Sequence, residues 1–430
     1  MVDGLWAQTG DATVSDFSTV VWRLRLMGFN AVRLPFSFQE FSKTPRSFVW
    51  SWCSNDTSKV VSSVVPPGTT LPAGSVPPPL DAPAPPPKTP LTCNDYVPAT
   101  SVKARLLWAS KFFAANGFYV VLDDHMIYGA MIDAPSFPLF PPLFPSSFPP
   151  SSLLFPSFFF LLLPHFFSHD LLSSLPQRGE NNLKSKKRKN PDTLVLDDPA
   201  AWTRAWGSLA ADVAADPVLR NRVMFDLLNE PDSRGITWRS GPGRGGYGMD
   251  ALYEMAADAV FAASPASLML FEGTGQLGAV AMNWGDGFAT DPAVVASGGV
   301  QSAQPFFNMV LSKPWAANAV ISPHLYPPSV STHREVDQVT GAGLFTRLSN
   351  SFGYLTKKGV CSTAAAATCR TFPVVFGETG SKFTDSLDLA MLDDFAKYMR
   401  AEDAAHVPIL NMFWWSWNAN SGDTGESRRY

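Results

Sequence analysis

An α/β chain of the (β/α)8, or TIM-barrel, class is what this sequence predicts, on three observations. Short apolar runs, continuous rather than alternating, recur along the chain, as strands buried on both faces of a parallel sheet do. Helix-length segments separate most of them, which is the βαβα order of a parallel sheet. Polar or aromatic side chains stand at the ends of the runs. In a barrel those ends share one mouth, at the C-terminal face, where active sites are built.

The elements follow in order. A helix over Phe17–Met27 leads into the strand GFNAVRLPF, Gly28–Phe36, and a helix over Val102–Asn116 into GFYVVLDDH, Gly117–His125. In both, a glycine between helix and strand is the residue of a left-handed C-cap. A helix over Pro199–Ala215 precedes RVMFDLLNE, Arg222–Glu230, and one over Met249–Ser264 precedes SLMLFEGT, Ser267–Thr274. NAVISPHLY, Asn318–Tyr326, and FPVVFGE, Phe372–Glu378, come next, and a helix over Leu387–Ala405 leads to ILNMFWWSW, Ile409–Trp417. A doubly wound open sheet gives the same alternation, but it calls for a Gly-rich phosphate loop after an early strand, and the sequence has none. The strands number seven. Strand one and the last helix are therefore expected to be absent, which would leave two sheet edges exposed.

Residues 1–430 read as a single domain interrupted by two segments of different character. Residues 62–90 are a polyproline-rich surface loop. Residues 134–192 hold a low-complexity insert whose stretch from Ser136 to Phe167 is Ser, Phe, Pro and Leu apart from His165. Leu153–Phe167 is shorter than the roughly 18 residues of a membrane span and is broken by Pro156 and Pro164. Ser, Pro, Phe and Leu are the residues whose codons can begin with two pyrimidines, so a translated pyrimidine tract, as from a retained intron, would give this composition. The basic run Lys184–Pro191 beside it reads as solvated chain. Ala134–Asp192 is accordingly expected to lie outside the fold.

With 33 Lys and Arg against 37 Asp and Glu, the charge balance gives no case for nucleic acid or an anionic membrane as partner. An apolar fraction of 46% is enough for a sizeable core. Cys53, Cys93, Cys361 and Cys369 form no C-x-x-C pair and no His stands at zinc spacing from them. Two short-range pairs, Cys53–Cys93 and Cys361–Cys369, would be natural disulfides in a secreted protein; four free buried thiols are the other reading. The segment at Met1 carries no apolar signal-peptide core.

The chemistry rests on Glu230 and Glu378, each closing an apolar strand, at LLNEP and VFGETG. A lone strand-end Glu is more often a structural hydrogen-bonder. Two at one barrel mouth are the pair that glycosidic bond cleavage uses, one donating a proton to the leaving oxygen and one attacking the sugar or activating water. Arg33 would hold the nucleophilic carboxylate ionised, since a neighbouring cation lowers its pKa. His125, His324 and Tyr326 supply hydrogen-bond donors to a carboxylate or a sugar hydroxyl. Asn229 is placed to bond the sugar 2-hydroxyl. Of Trp414, Trp415 and Trp417, alternation puts Trp415 and Trp417 on one face, where a ring can stack on a pyranose. Trp284 and Trp238 are weaker candidates for the same role.

These segments resemble glycoside hydrolase family 5, the cellulase family, and within it the endo-β-1,4-glucanases. The matching pieces are MGFNAVRLPFS, VVLDDH, FDLLNEP, FEGTG, SPHLYP, VFGETG and WWSWNANSGDTG, in the family's order, from about Leu5 to Gly425. The resemblance implies a retaining (β/α)8 hydrolase with Glu230 as acid/base and Glu378 as nucleophile. It places Arg33, His125, Asn229, His324, Tyr326 and Trp415 around them as substrate-binding residues. It also implies β-linked polysaccharide as substrate and polysaccharide catabolism as the setting. Two-carboxylate chemistry needs no metal or cofactor. An enzyme acting on a polymer it cannot import is expected to be secreted, in keeping with the cysteine pairs, and a monomer is expected. Mannan in place of glucan, or a truncated form that binds glycan without cutting it, are the alternatives.

Overall fold

In a computed structural model of the chain the structure describes residues 17–45, 94, 96–125, 193–274, 284–332, 334, 336–364 and 367–416. The Pro-rich loop, the low-complexity insert, the Cys53–Cys93 pair, Trp417 and the segments that bear on strand one and the last helix lie outside the described residues.

All seven expected strands form. β1 (Ala31–Phe36), β2 (Tyr119–Asp124), β3 (Val223–Asp226), β4 (Met269–Phe271) and β5 (Ala319–Ile321) make a five-stranded sheet in chain order. Every pair in it is parallel. β6 (His324–Leu325), β9 (Phe376–Thr379) and β10 (Met412–Trp414) continue it in the order β6-β9-β10, again parallel. The run Asn318–Tyr326 is thus two strands, not one. Pro323 has no N–H to give the ladder, although its carbonyl still accepts from Gly377 N–H. The two sheets are joined there, because Ile321 N–H donates to Pro373 and Val375 N–H donates to Ile321. Sequential parallel order with helices between is the winding of a (β/α)8 barrel. Among the described residues no hydrogen-bonded pair links β10 to β1.

The helices form where expected, over Phe17–Leu26, Val102–Ala115, Pro199–Ala215 and Met249–Ala263. Gly28 and Gly117 follow the first two with φ of 84° and 90°, the left-handed turn that glycine adopts without a Cβ penalty. Pro199 sits in the first turn behind Asp198, whose side chain accepts from Ala201 N–H. Trp202, Trp206, Leu209 and Val213 recur at helical spacing and are buried. The helix expected over Leu387–Ala405 spans only Asp388–Met399. Ala401 and Ala404 turn to positive φ, and the carbonyls of Tyr398 and Met399 are taken by the His406 ring and Ile409 N–H as the chain doubles back. Shorter helices that periodicity missed, among them Gln304–Leu311 and Gly341–Leu348, pad the outside. A hairpin of β7 (Val360–Cys361) and β8 (Cys369–Arg370) precedes β9, and the Cys361–Cys369 disulfide closes it, so these two are not free thiols.

Two layers fill the molecule. A large apolar core lies between helices and sheet. Inside the barrel, Ala31, Val121, Met224, Leu270, Val320, Val375 and Phe413 form one ring, each from a different strand position. Strands alternate faces with period two, so Arg33, Asp123, Asp226 and Glu272, two residues further along the first four strands, point inward above that ring. All four are fully buried. The chain leaves the described residues after His125 and returns at Thr193, and the two flanks are tied together: Trp202 Nε1–H donates to Asp124 Oδ2 at 2.6 Å and Gln39 Nε2–H to Thr193 Oγ1 at 3.4 Å. No helix among the described residues is long and apolar enough to cross a membrane.

Candidate active site

Arg33 is the centre of the polar layer. Its Nε–H donates to Asp226 Oδ2 at 2.9 Å and its Nη1–H to Glu378 Oε1 at 2.5 Å. Its Nη2–H groups reach Asn229 Oδ1 and Glu272 Oε1, each at 3.0 Å, and Asp123 Oδ1 lies at the same distance. One guanidinium therefore faces four carboxylates in direct contact, a geometry that Arg's planar fork suits and Lys cannot reproduce. Burial works against the cation, but the surrounding carboxylates outweigh it and hold Arg33 firmly protonated.

Glu378 stands above Arg33 at the end of β9, paired in register with His324. Its Oε2 accepts from Tyr326 Oη–H at 2.5 Å and lies 3.6 Å from His324 Nδ1; its Oε1 lies 4.0 Å from His125 Nδ1. Glu230 sits just past β3 in the left-handed region, with φ of 41° and ψ of 68°. That conformation is strained for a residue with a Cβ. It presents the carboxyl to His324 Nδ1 at 3.0 Å, and the side chain remains 20% exposed toward the mouth. Oxygens of Glu230 and Glu378 and a nitrogen of His324 lie within 4.8 Å of one another.

The two carboxyls have different surroundings. Burial raises the Glu230 pKa; the His324 hydrogen bond pulls it back, and the charges of Glu378 and Glu272 push it up again, leaving it above the ordinary range. Glu378 is instead wrapped by donors. Burial disfavours the His324 cation, yet Glu272 and Glu378 hold its pKa well above the usual value. Burial opposes the His125 cation too, but Asp123, hydrogen-bonded to Nδ1 at 2.8 Å, lifts it to about 9. For Asp123 the burial penalty is overcome by Arg33 and His125, which keep it below the ordinary carboxylate range. Asp226 is the opposite case: burial, aided by Glu272 and Asp123, raises it well above that range despite Arg33. Asp123, His125 and Glu378 form one trio at metal-ligand spacing, and Glu230, His324 and Glu378 another. The carboxylates around both imidazoles favour their protonated, hydrogen-bonding forms.

Every one of the eight residues singled out from the sequence converges here. Trp415 stacks on His125 with ring centroids 5.1 Å apart and planes 4° from parallel, and it packs against Tyr326. Trp284 meets Tyr326 edge-on at 5.8 Å. Two other aromatics do not belong. Trp238 is fully buried, stacked on Phe306, with its Nε1–H given to Gly287 O; it is core. Trp414 lies on the opposite face from Trp415 and stacks on Phe383. Sequence reasoning missed Asp123, Asp226 and Glu272. Their signal was present: an acid set inside an apolar strand is almost never buried unless it is paired.

A family model described as Cellulase (glycosyl hydrolase family 5) matches residues 90–421. The chain belongs to this family. It is 27% identical over 206 residues to the major extracellular endoglucanase of Xanthomonas campestris pv. campestris, a match covering 47% of this chain and 35% of that protein. The chain thus spans about a third of the curated relative's length. The catalytic domain of the major endoglucanase of the same organism superposes with a TM-score of 0.53 at 19% identity, covering 99% of this chain and 86% of that one. An endocellulase from Pyrococcus horikoshii gives 0.52 at 17% identity, covering 98% and 85%. The same values hold for its complex with cellotetraose. At these identities the cellulase likeness carries the barrel fold, and the site of this chain stands on its own geometry.

Proposed function

We propose that this family 5 chain is a retaining endo-β-1,4-glucanase, and the observation that carries the reading is the Glu230–Glu378 pair. Retention needs carboxyl groups about 5–5.5 Å apart, and inversion needs roughly 6.5–9.5 Å to seat a water. Oxygens within 4.8 Å support the first. In the first step a Glu378 oxygen bonds to the anomeric carbon as the glycosidic C–O bond breaks, and the Glu230 proton goes to the leaving oxygen. In the second, Glu230, now a carboxylate, takes a proton from water. The water oxygen bonds to the anomeric carbon, and Glu378 is released.

The surroundings fit these roles. Glu230 must be protonated when it acts, which its raised pKa favours. Arg33 and Tyr326 hold both oxygens of Glu378 in place for attack. Asn229 spends its amide oxygen on Arg33, which leaves its NH2 to donate to a sugar 2-hydroxyl. The stacked Trp415 offers a flat face for a pyranose. Endo action on glucan is supported by the endoglucanase relative, and secretion by that relative's extracellular description and by the Cys361–Cys369 disulfide. The polymer would serve in polysaccharide catabolism.

Hydrolysis of a soluble cellulose derivative tests the assignment. Glu378→Gln is expected to abolish turnover; full activity in that variant would remove the nucleophile. Proton NMR of the first-formed product reads the anomer, and inversion would refute the two-step path. Rates on glucan and on mannan, side by side, decide the polymer, with glucan expected to be the faster.

A further inference from the structure

Glu272 has no part in the chemistry above, yet it touches both the backbone of Glu230 and the ring that bonds the Glu230 carboxyl. It is fully buried, just past β4. Its Oε2 accepts the backbone N–H of Glu230 at 2.7 Å. Its Oε1 accepts from Arg33 Nη2–H at 3.0 Å and lies 3.1 Å from His324 Nε2, the far edge of the ring whose Nδ1 meets the Glu230 carboxyl. Its own backbone is clamped at both polar groups by one hydroxyl, since Glu272 N–H donates to Tyr253 Oη and Tyr253 Oη–H donates to Glu272 O. Packing behind the carboxylate is close: a Cβ on Gly285, at φ of 70°, would stand 2.9 Å from Oε2.

These contacts have a common direction. A left-handed Glu230 turns its N–H into the barrel, where only a buried acceptor can satisfy it. Glu272 is that acceptor, and its other oxygen pairs its charge, at 3.1 Å, with the ring that bonds the Glu230 side chain. We infer that Glu272 is a positioning residue for the proton donor, setting both the backbone and the side-chain direction of Glu230. This rests on the acid/base reading of Glu230. It separates the polar layer into two jobs, with Arg33 and Tyr326 orienting the nucleophile and Glu272 with His324 orienting the acid.

The test compares two substrates that differ in their need for an acid. Cellotetraose has a poor leaving group. 2,4-Dinitrophenyl β-cellobioside has one that departs without a proton, so its kcat/KM is blind to the donor. General acid catalysis contributes on the order of 10²–10⁴-fold, and a misaimed acid forfeits part of it, so Glu272→Gln is expected to lower kcat/KM on cellotetraose about 10–100-fold. On the aryl glycoside it should lower kcat/KM less than about threefold, because nothing is asked of the acid. Gly285→Ala, which presses on the same oxygen without changing a charge, should show the same split. It also decides the matter alone if Glu272→Gln does not fold. Equal losses on both substrates, or no loss on either, would overturn the inference. Glu230→Gln run alongside keeps the two readings apart: if that variant loses equally on both substrates, the acid/base assignment itself fails, whatever Glu272 does.

Discussion

Removing Arg33 tests the polar layer most severely. Methionine has nearly the same reach, so Arg33→Met takes away charge and donors while filling much of the space. It leaves Asp123, Asp226, Glu272 and Glu378 facing one another with no cation at their centre. Breaking a buried ion pair by deleting one partner costs about 3–5 kcal/mol, because the other charge stays buried and uncompensated. Domains are stable by about 5–15 kcal/mol, so the variant should retain a fold with much of its margin gone. The deficit should depend on pH. Asp123 is depressed by Arg33, so its contribution to stability is present above its unfolded pKa and is lost as pH falls through the folded one. Asp226 is raised, so its contribution is present below its unfolded pKa and is lost as pH rises through the folded one. Deleting Arg33 moves both pKa values upward. The native state of the variant then binds more protons than wild type does, and its deficit grows from acid toward neutral pH. Urea unfolding at about pH 4.5 and about pH 7 measures this. A deficit under about 1 kcal/mol at neutral pH, or one equal at the two pH values, would refute the description of Arg33 as the electrostatic keystone of the barrel interior.

Three further outcomes are expected. Tyr326→Phe keeps the ring against Trp415 but loses the donor to Glu378 Oε2. A charged-acceptor hydrogen bond is worth about 1.5–3 kcal/mol, so kcat/KM should fall roughly 10–100-fold, and the melting temperature should fall by a few degrees. The pH profile of kcat/KM should carry its basic limb above the ordinary carboxylate range, because Glu230 acts protonated and its raised pKa extends that form upward; a limb at an unperturbed glutamate value would count against Glu230 as the acid. Replacing Cys361 and Cys369 by Ser should cost about 2–3 kcal/mol of stability in chemical denaturation and leave kcat/KM unchanged, since the short loop they close precedes β9, at the end of that strand opposite Glu378.

The parts of the fold legible in the sequence were those with a local cause. Gly28 and Gly117 mark helix ends because a left-handed turn needs them, and Pro199 behind Asp198 marks a helix start. Glu230 and Glu378 were legible because a carboxylate closing an apolar run is locally anomalous. What stayed hidden depends on which way a strand faces. A parallel strand is apolar on both sides, so its sequence does not reveal the inward set. Once Ala31, Val121, Met224 and Leu270 are seen to share the interior, Arg33, Asp123, Asp226 and Glu272 follow by counting two. Trp238, in a loop, passed for a cleft residue because an aromatic side chain alone does not tell core from cleft. Its burial, its stacking on Phe306 and its hydrogen bond to Gly287 O place it in the core. The early stop at Met399 of the helix that begins at Asp388 was hidden because Ala401 and Ala404 favour a helix by propensity. Tertiary hydrogen bonds from His406 and Ile409 decide otherwise.

The clasp between Asp124 and Trp202 has a topological consequence. It joins the end of β2 to the helix that follows, so the path of the barrel is secured on both sides of residues 126–192, a span of 67 residues (192 − 125). For a flexible connection the closure entropy grows only with the logarithm of length, so one of 67 residues costs only about 2.5 kcal/mol more than one of about four. A clasp of this kind turns the junction into a permissive seam, at which the barrel on either side keeps its register whatever the length of chain between.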